Sequence, residues 1–146
     1  MDSHKLYSYR YADDRYTVSI ANRACVEEAI AALCRDLDIR SAAITGIGAV
    51  DEATLRFYNP ATKRYVDRRF EEQMEIASLT GNVSQMDGKC YLHLHVTLGR
   101  ADYTALAGHL LSARINGAGE IFVTPFGADT PRRYDPVTGL NIYDFQ

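Results

Sequence analysis

No run of eighteen apolar residues occurs anywhere in the 146-residue chain, so the sequence offers no membrane-spanning helix. The opening Met1-Asp-Ser-His-Lys5 lacks the basic-then-apolar layout of a secretory leader. Together these absences predict a soluble, cytoplasmic protein with no membrane partner. Cysteine is scarce. Cys25, Cys34 and Cys90 are odd in number, widely spaced and without a C-x-x-C pair, which excludes a disulfide framework. They read as small buried hydrophobes in a reducing compartment. Excess positive charge is also missing. A net charge of -3 and a pI near 5.8 argue against unassisted DNA binding, which needs a basic face, though a local basic patch stays open.

Several catalytic signatures are absent as well. Gly46 and Gly48 invite a nucleotide-loop reading, but Asp51 stands where a G-x-G-x-x-G fingerprint needs glycine. Those glycines are expected instead to mark a bulge or the close approach of another backbone, such as a neighbouring subunit's. Ser78, Ser84 and Ser112 lack a Gly-x-Ser-x-Gly elbow, and no cysteine has a histidine placed by a recognisable pattern. Repeats, low-complexity tracts and linkers are missing too. With 47% apolar residues, the chain is expected to be one globular domain spanning residues 1–146.

What is present reads mostly as strand. Tyr7, Tyr9 and Tyr11 alternate before Asp13-Asp14, and Tyr16, Val18 and Ile20 alternate after it, the pattern of a β-hairpin. Its half-exposed tyrosines suit a subunit interface better than a ligand platform. Val26, Ala29, Ile30, Leu33, Cys34 and Leu37 form a helical stripe, which predicts a helix over about 22–38 with Asn22 as its start signal. Glu27 and Glu28 fall in its first turns, where the helix dipole favours them. Arg35, Asp36 and Asp38 form its solvated side. Ser41–Val50 and Ala53–Tyr58 read as strands, and Met74–Thr80 as another that turns at Gly81-Asn82. Asp87-Gly88 is a tight turn into the next strand. Leu106–Ile115 fits helix or strand equally, and Ile121–Thr124 is a further strand. The fold class is α+β with a mostly antiparallel sheet.

The chemistry concentrates in Lys89–Gly99. On a strand, His93 and His95 share one face while Leu92, Leu94, Val96 and Leu98 fill the other. His109, carried by a Gly108-His109-Leu110 turn, completes a three-histidine set that suits Zn²⁺ with an open fourth position. A histidine on an apolar strand is ordinarily a hydrogen-bonded structural residue; the His-x-His pair with a third nearby is what points to metal. Zinc on three neutral imidazoles polarises a carbonyl or acidifies bound water, which is lyase or hydrolase chemistry. Glu75 is the candidate general base and Arg114 the candidate anion clamp. Glu75 on a solvated strand face, or Arg114 in an ion pair, would serve neither role. Arg132-Arg133 with Tyr134 suggests a phosphate contact, or else a tail docked on a neighbour.

Taken together, Thr45-Gly-Ile-Gly-Ala49, Glu75-Ile-Ala-Ser-Leu-Thr-Gly81, Leu92-His-Leu-His-Val96, Gly108-His-Leu110 and Arg133-Tyr-Asp-Pro-Val-Thr-Gly-Leu140 resemble the plants-and-prokaryotes-conserved (PPC, or PD1-like) domain. The resemblance spans nearly the whole chain and implies an α+β homotrimer. In plant members the domain follows Arg-Gly-Arg-Pro segments that enter the DNA minor groove; no such segment occurs here. The histidines alone are similar to the zinc-binding pattern of acetolactate decarboxylase, whose fold is related, which implies zinc on His93, His95 and His109. Three functions follow. The first, and favoured, is a homotrimeric binding module with a histidine metal site, acting through a small-molecule ligand or protein partner. The second is a DNA-associated regulator. The third is a zinc-dependent lyase or hydrolase.

Overall fold

A computed structural model describes residues 6–146; the opening segment, read above for a leader, lies outside them. In chain order the elements are β1 (Tyr7–Ala12), β2 (Arg15–Ile20), α1 (Val26–Asp36), β3 (Ala42–Asn59), β4 (Arg64–Phe70), β5 (Met74–Met86), β6 (Lys89–Gly99), β7 (Ala105–Pro125), β8 (Pro131–Asp135) and β9 (Leu140–Tyr143). All the strands join one sheet, antiparallel except where β5 meets β8.

Two long strands organise this sheet. β3 and β7 pair along nearly their full lengths, and β7 also pairs with β6 through Ala105–His109, while β6 pairs with β5 and β5 with β3. The ladder β3–β5–β6–β7 therefore closes on itself, which removes the exposed edges of these four strands. Several elements that the periodicity separates are single strands. Ser41–Val50 and Ala53–Tyr58 are both parts of β3, Gly81-Asn82 lies within β5 rather than at a turn, and Leu106–Ile115 joins Ile121–Thr124 in β7. Register shifts between Gly46 and Gly48, Val50 and Glu52, and Thr54 and Leu55 let β3 bend without stopping. At Gly46 a Cβ would lie 2.8 Å from Glu120 O, so the close neighbour is the chain's own β7.

The hairpin expected at Asp13-Asp14 is present, and both aspartates take positive φ, 51° and 59°, as a two-residue turn between twisted strands requires. Helix α1 is shorter than the predicted 22–38. Arg23 sits at φ 73° and Cys25 is the N-cap, while Asn22 Oδ1 accepts a hydrogen bond from Gly117 N instead of capping the helix. At the other end Ile39 N donates to Cys34 O and Asp38 N to Arg35 O, with Asp38 at φ 51°; this is a Schellman closure in which aspartate takes glycine's usual place.

The helix lays Val26, Ala29, Ile30, Leu33 and Cys34 on one sheet face, against core residues including Leu79, Leu94, Val96, Leu98, Ile115 and Ile121. Each fully buried aliphatic side chain contributes about 1.5–3 kcal/mol of burial free energy. The tail docks on its own sheet: Gln85 and Met86 pair with Pro131 and Arg132, and the buried Gln85 accepts a hydrogen bond from Thr130 N and donates to Arg40 O. Among the described residues no helix is long and apolar enough to cross a membrane.

The tyrosines of the hairpin divide. Tyr7 is buried and its hydroxyl donates to Asp36 Oδ2 at 2.7 Å, tying β1 to the end of α1, whereas Tyr9 and Tyr11 stay exposed. Burial, reinforced by the Asp36 carboxylate, pushes the Tyr7 hydroxyl up to about 12. Because the folded value exceeds the unfolded one, this contact stabilises fully below about pH 10 and is lost as pH rises towards the folded value. Tyr7→Phe is expected to cost about 1.5–3 kcal/mol in urea unfolding at pH 7. The difference from wild type should shrink between pH 10 and 12.

Candidate metal centre

Strand register assembles the site. In β6, Leu94 and Val96 are buried beneath the helix while His93 and His95 project from the other face. His109 lies within β7 rather than on a turn, and its Cα is the direct cross-strand partner of His95. The three ring centroids are 5.1, 5.1 and 5.6 Å apart. His93 Nε2 stands 3.2 Å from His95 Nε2, and one nitrogen from each ring lies within 4.8 Å of the others. All three come from a single chain, so no subunit contact is needed to bring them together.

The donor set fits a metal ion. Zinc–imidazole bonds of about 2.0–2.1 Å at tetrahedral angles place ligand nitrogens roughly 3.3–3.4 Å apart, close to the spacing of His93 and His95. His93 and His109 are half-buried and His95 is exposed, which leaves one side open to solvent. Burial, then the neighbouring His109, His95 and Arg132, pulls His93 down to about 4. Burial, then His95 and Arg56, also lowers His109, with Asp67 opposing. Both rings are therefore neutral at pH 7, the state that ligates metal.

Two arginines flank the histidines. Arg56 is the cross-strand partner of His109 and holds Asp67 through paired hydrogen bonds of 2.7 and 2.8 Å. Arg132 reaches Ser84 Oγ at 2.6 Å, Asn141 O at 2.8 Å and Asn82 Oδ1 at 2.9 Å, with its guanidinium 4.8 Å from the Tyr91 ring centroid and 4.5 Å from that of Tyr143. Asn82 in turn pairs across the ladder with His93. Arg56, Asp67, Asn82 and Tyr91 carry no motif; only knowledge of the strand register would have marked them.

The other candidate residues lie elsewhere. Glu75 is exposed and pairs with Gly99 at one end of the β5–β6 ladder, whereas Thr80 and Asn82, which face His95 and His93, lie at its middle. Arg114 Nε donates to Asp51 Oδ1 at 3.0 Å, and its Nη2 lies 3.5 Å from Glu52, so its charge is held by carboxylates away from the histidines. Neither is brought to the triad. Arg133 contacts Asp144 at 3.7 Å and Tyr134 is exposed, while Arg132 is the member of that pair that reaches the site. The expectation of buried cysteines holds for Cys34 alone, since Cys25 is half-buried and Cys90 exposed.

Residues 7–127 match the Plants and Prokaryotes Conserved (PCC) domain, and the chain belongs to that family. A Bacteroides thetaiotaomicron protein provisionally designated DNA-binding shares 54% identity, with 96% of this chain and 98% of that one covered and a TM-score of 0.94. A metal-containing protein from Archaeoglobus fulgidus shares 33% identity over 95% of this chain and 98% of its own, with a TM-score of 0.84. A Staphylococcus aureus protein similar to alpha-acetolactate decarboxylase, 11% identical over 84% of this chain and 56% of its own, has a TM-score of 0.54; it shares the fold alone. No curated protein matches.

Gly81, at the centre of the β5–β6 ladder, fixes how closely the two strands approach beside the site. A Cβ there would collide with the carbonyl oxygen of His93. Gly81→Ala is therefore expected to destabilise the fold by about 1–3 kcal/mol, as overpacking does. The shift in urea midpoint against wild type measures it.

Proposed function

We propose that this protein is a self-associating binding module whose His93–His95–His109 centre holds Zn²⁺ and presents its open coordination position to a small-molecule ligand or a protein partner. The observation that carries this reading is the convergence of three imidazole nitrogens, from two strands of one chain, within 4.8 Å. The metal-containing Archaeoglobus relative, a third identical in sequence, supports it. Bound zinc would supply a Lewis acid there. The chain's own part is to hold three rings at ligand spacing, His93 and His109 of them kept neutral, with Arg132 and Arg56 lending positive charge beside them.

A catalytic version of this reading, the zinc lyase or hydrolase, lacks a positioned base now that Glu75 and Arg114 are placed elsewhere. The DNA-associated reading draws on the designation of the Bacteroides relative. Against it stand the net charge of -3 and the pairing of Arg23, Arg40, Arg56, Arg69, Arg100 and Arg114 with carboxylates, which turns those guanidiniums away from phosphate contact.

Self-association as a homotrimer is supported by the sheet face opposite the helix. There Ile47 and Phe122, each about half exposed, border a groove of about 770 Å³ that also includes Thr45 and Thr80. Apolar surface of this kind marks an interaction site. Thr80 is also the cross-strand neighbour of His95, so the groove runs up to the metal centre.

Metal binding and oligomeric state test the proposal separately. Titration calorimetry and elemental analysis of chelator-stripped, reloaded protein are expected to find one zinc per chain, and His93→Ala, His95→Ala and His109→Ala each to weaken binding by at least about 100-fold with the melting curve retained. Unchanged zinc affinity in the variants would overturn the metal assignment. Light scattering should read a trimer for wild type and a monomer for Ile47→Glu, since burying an unpaired carboxylate in an apolar contact is costly. A wild-type monomer would refute self-association.

A further inference from the structure

The cysteines sit where the metal-centre reading leaves them unused, yet two of them face each other. We propose that Cys34 and Cys90 form a redox-active dithiol that closes to an intramolecular disulfide, pinning the end of α1 to the start of β6. Cys34 lies on the buried stripe of α1, in its last turn. Cys90 shares the strand parity of Leu94, Val96 and Leu98, the side of β6 on which the helix packs. There Gln85, the cross-strand partner of Cys90, donates to Arg40 O just beyond the helix, which brings Cys90 to the end of α1 that carries Cys34, while the remaining cysteine, Cys25, lies at the helix's opposite end.

The exposures are unequal in the way such a pair needs. Cys90, next to the Asp87-Gly88 turn, is open to a solvent oxidant, while Cys34 is buried directly behind it as the resolving partner. The neighbouring Cys34 thiol, by donating to the Cys90 sulfur, lowers Cys90 from the ordinary thiol range and so favours its nucleophilic thiolate. Burial, with the carboxylates of Glu27 and Glu28 close by, pushes Cys25 the other way.

The oxidant is a low-molecular-weight disulfide. Cys90 thiolate attacks one of its sulfurs; the small disulfide's S–S bond breaks, a mixed disulfide forms on Cys90, and one small thiolate leaves and takes up a proton. Cys34 then gives up its proton to solvent and attacks the Cys90 sulfur. The mixed disulfide breaks, the second small thiolate leaves, and that proton balances it. Two protein thiols are oxidised and one disulfide is reduced to two thiols. Cys90 and His93 differ in strand parity, so the dithiol and the metal centre occupy opposite faces of β6 and neither requires the other.

The test incubates the reduced protein with glutathione disulfide, alkylates under denaturing conditions, and reads intact mass and peptide maps. Wild type is expected to lose two hydrogens, to keep a single alkylatable cysteine at Cys25, and to yield one linked peptide pair containing Cys34 and Cys90. Cys34→Ser should stop at the glutathione adduct on Cys90, and Cys25→Ser should behave as wild type. The proposal is overturned by no reaction, by a lasting adduct on wild-type Cys90 with Cys34 still alkylatable, by a bridge to Cys25, or by an interchain Cys90 bridge.

Discussion

One pairing register, that of β6 on β7, governs both the architecture and the site. It sets His95 opposite His109 and at the same time closes the ladder β3–β5–β6–β7, so that Leu98 meets Leu106 at the ring's other end. Side chains alternate with period two. A slip of one residue would turn His93 and His95 into the core and Leu94 and Val96 out to solvent. The apolar demand of the core thus holds the histidines in place, and no interaction among the imidazoles themselves has to do so.

That arrangement runs against electrostatics in a way that favours a ligand. Burial, followed by the neighbouring imidazoles and the guanidinium of Arg132 or Arg56, makes His93 and His109 resist protonation. The arginines are in turn held by Asp67, Asn82, Ser84 and the Asn141 carbonyl. The result is a cluster of nitrogen donors with fixed surroundings, the supporting shell that metal-ligating histidines need. The sheet also divides labour between its faces. The helix seals one with Ile30 and Leu33, and the other carries the histidines and the groove bordered by Ile47 and Phe122.

A good part of this was legible in the sequence. The α1 stripe, the Asp13-Asp14 and Asp87-Gly88 turns, the alternation of β6 and the shared face of His93 and His95 all follow from local periodicity and turn chemistry, which depend on neighbours within a few residues. Helix ends were less legible, because Asn22 found a tertiary partner in Gly117 and Arg23 took a left-handed turn. The length of β3 and β7 was hidden for a related reason. Glycines and bulges that look like strand ends are, in the folded molecule, the points where two backbones press together and the strand bends.

The sequence by itself determined the family, the α+β class and which histidines stand on one face of one strand. Only the tertiary structure decided that His109 belongs to a strand paired with theirs, that Glu75 and Arg114 lie away from the triad, and that Arg132, Asn82 and Arg56 surround it. Periodicity specifies which way a side chain points from its own backbone, whereas the partner it meets is set by long-range register, a product of the whole core's packing.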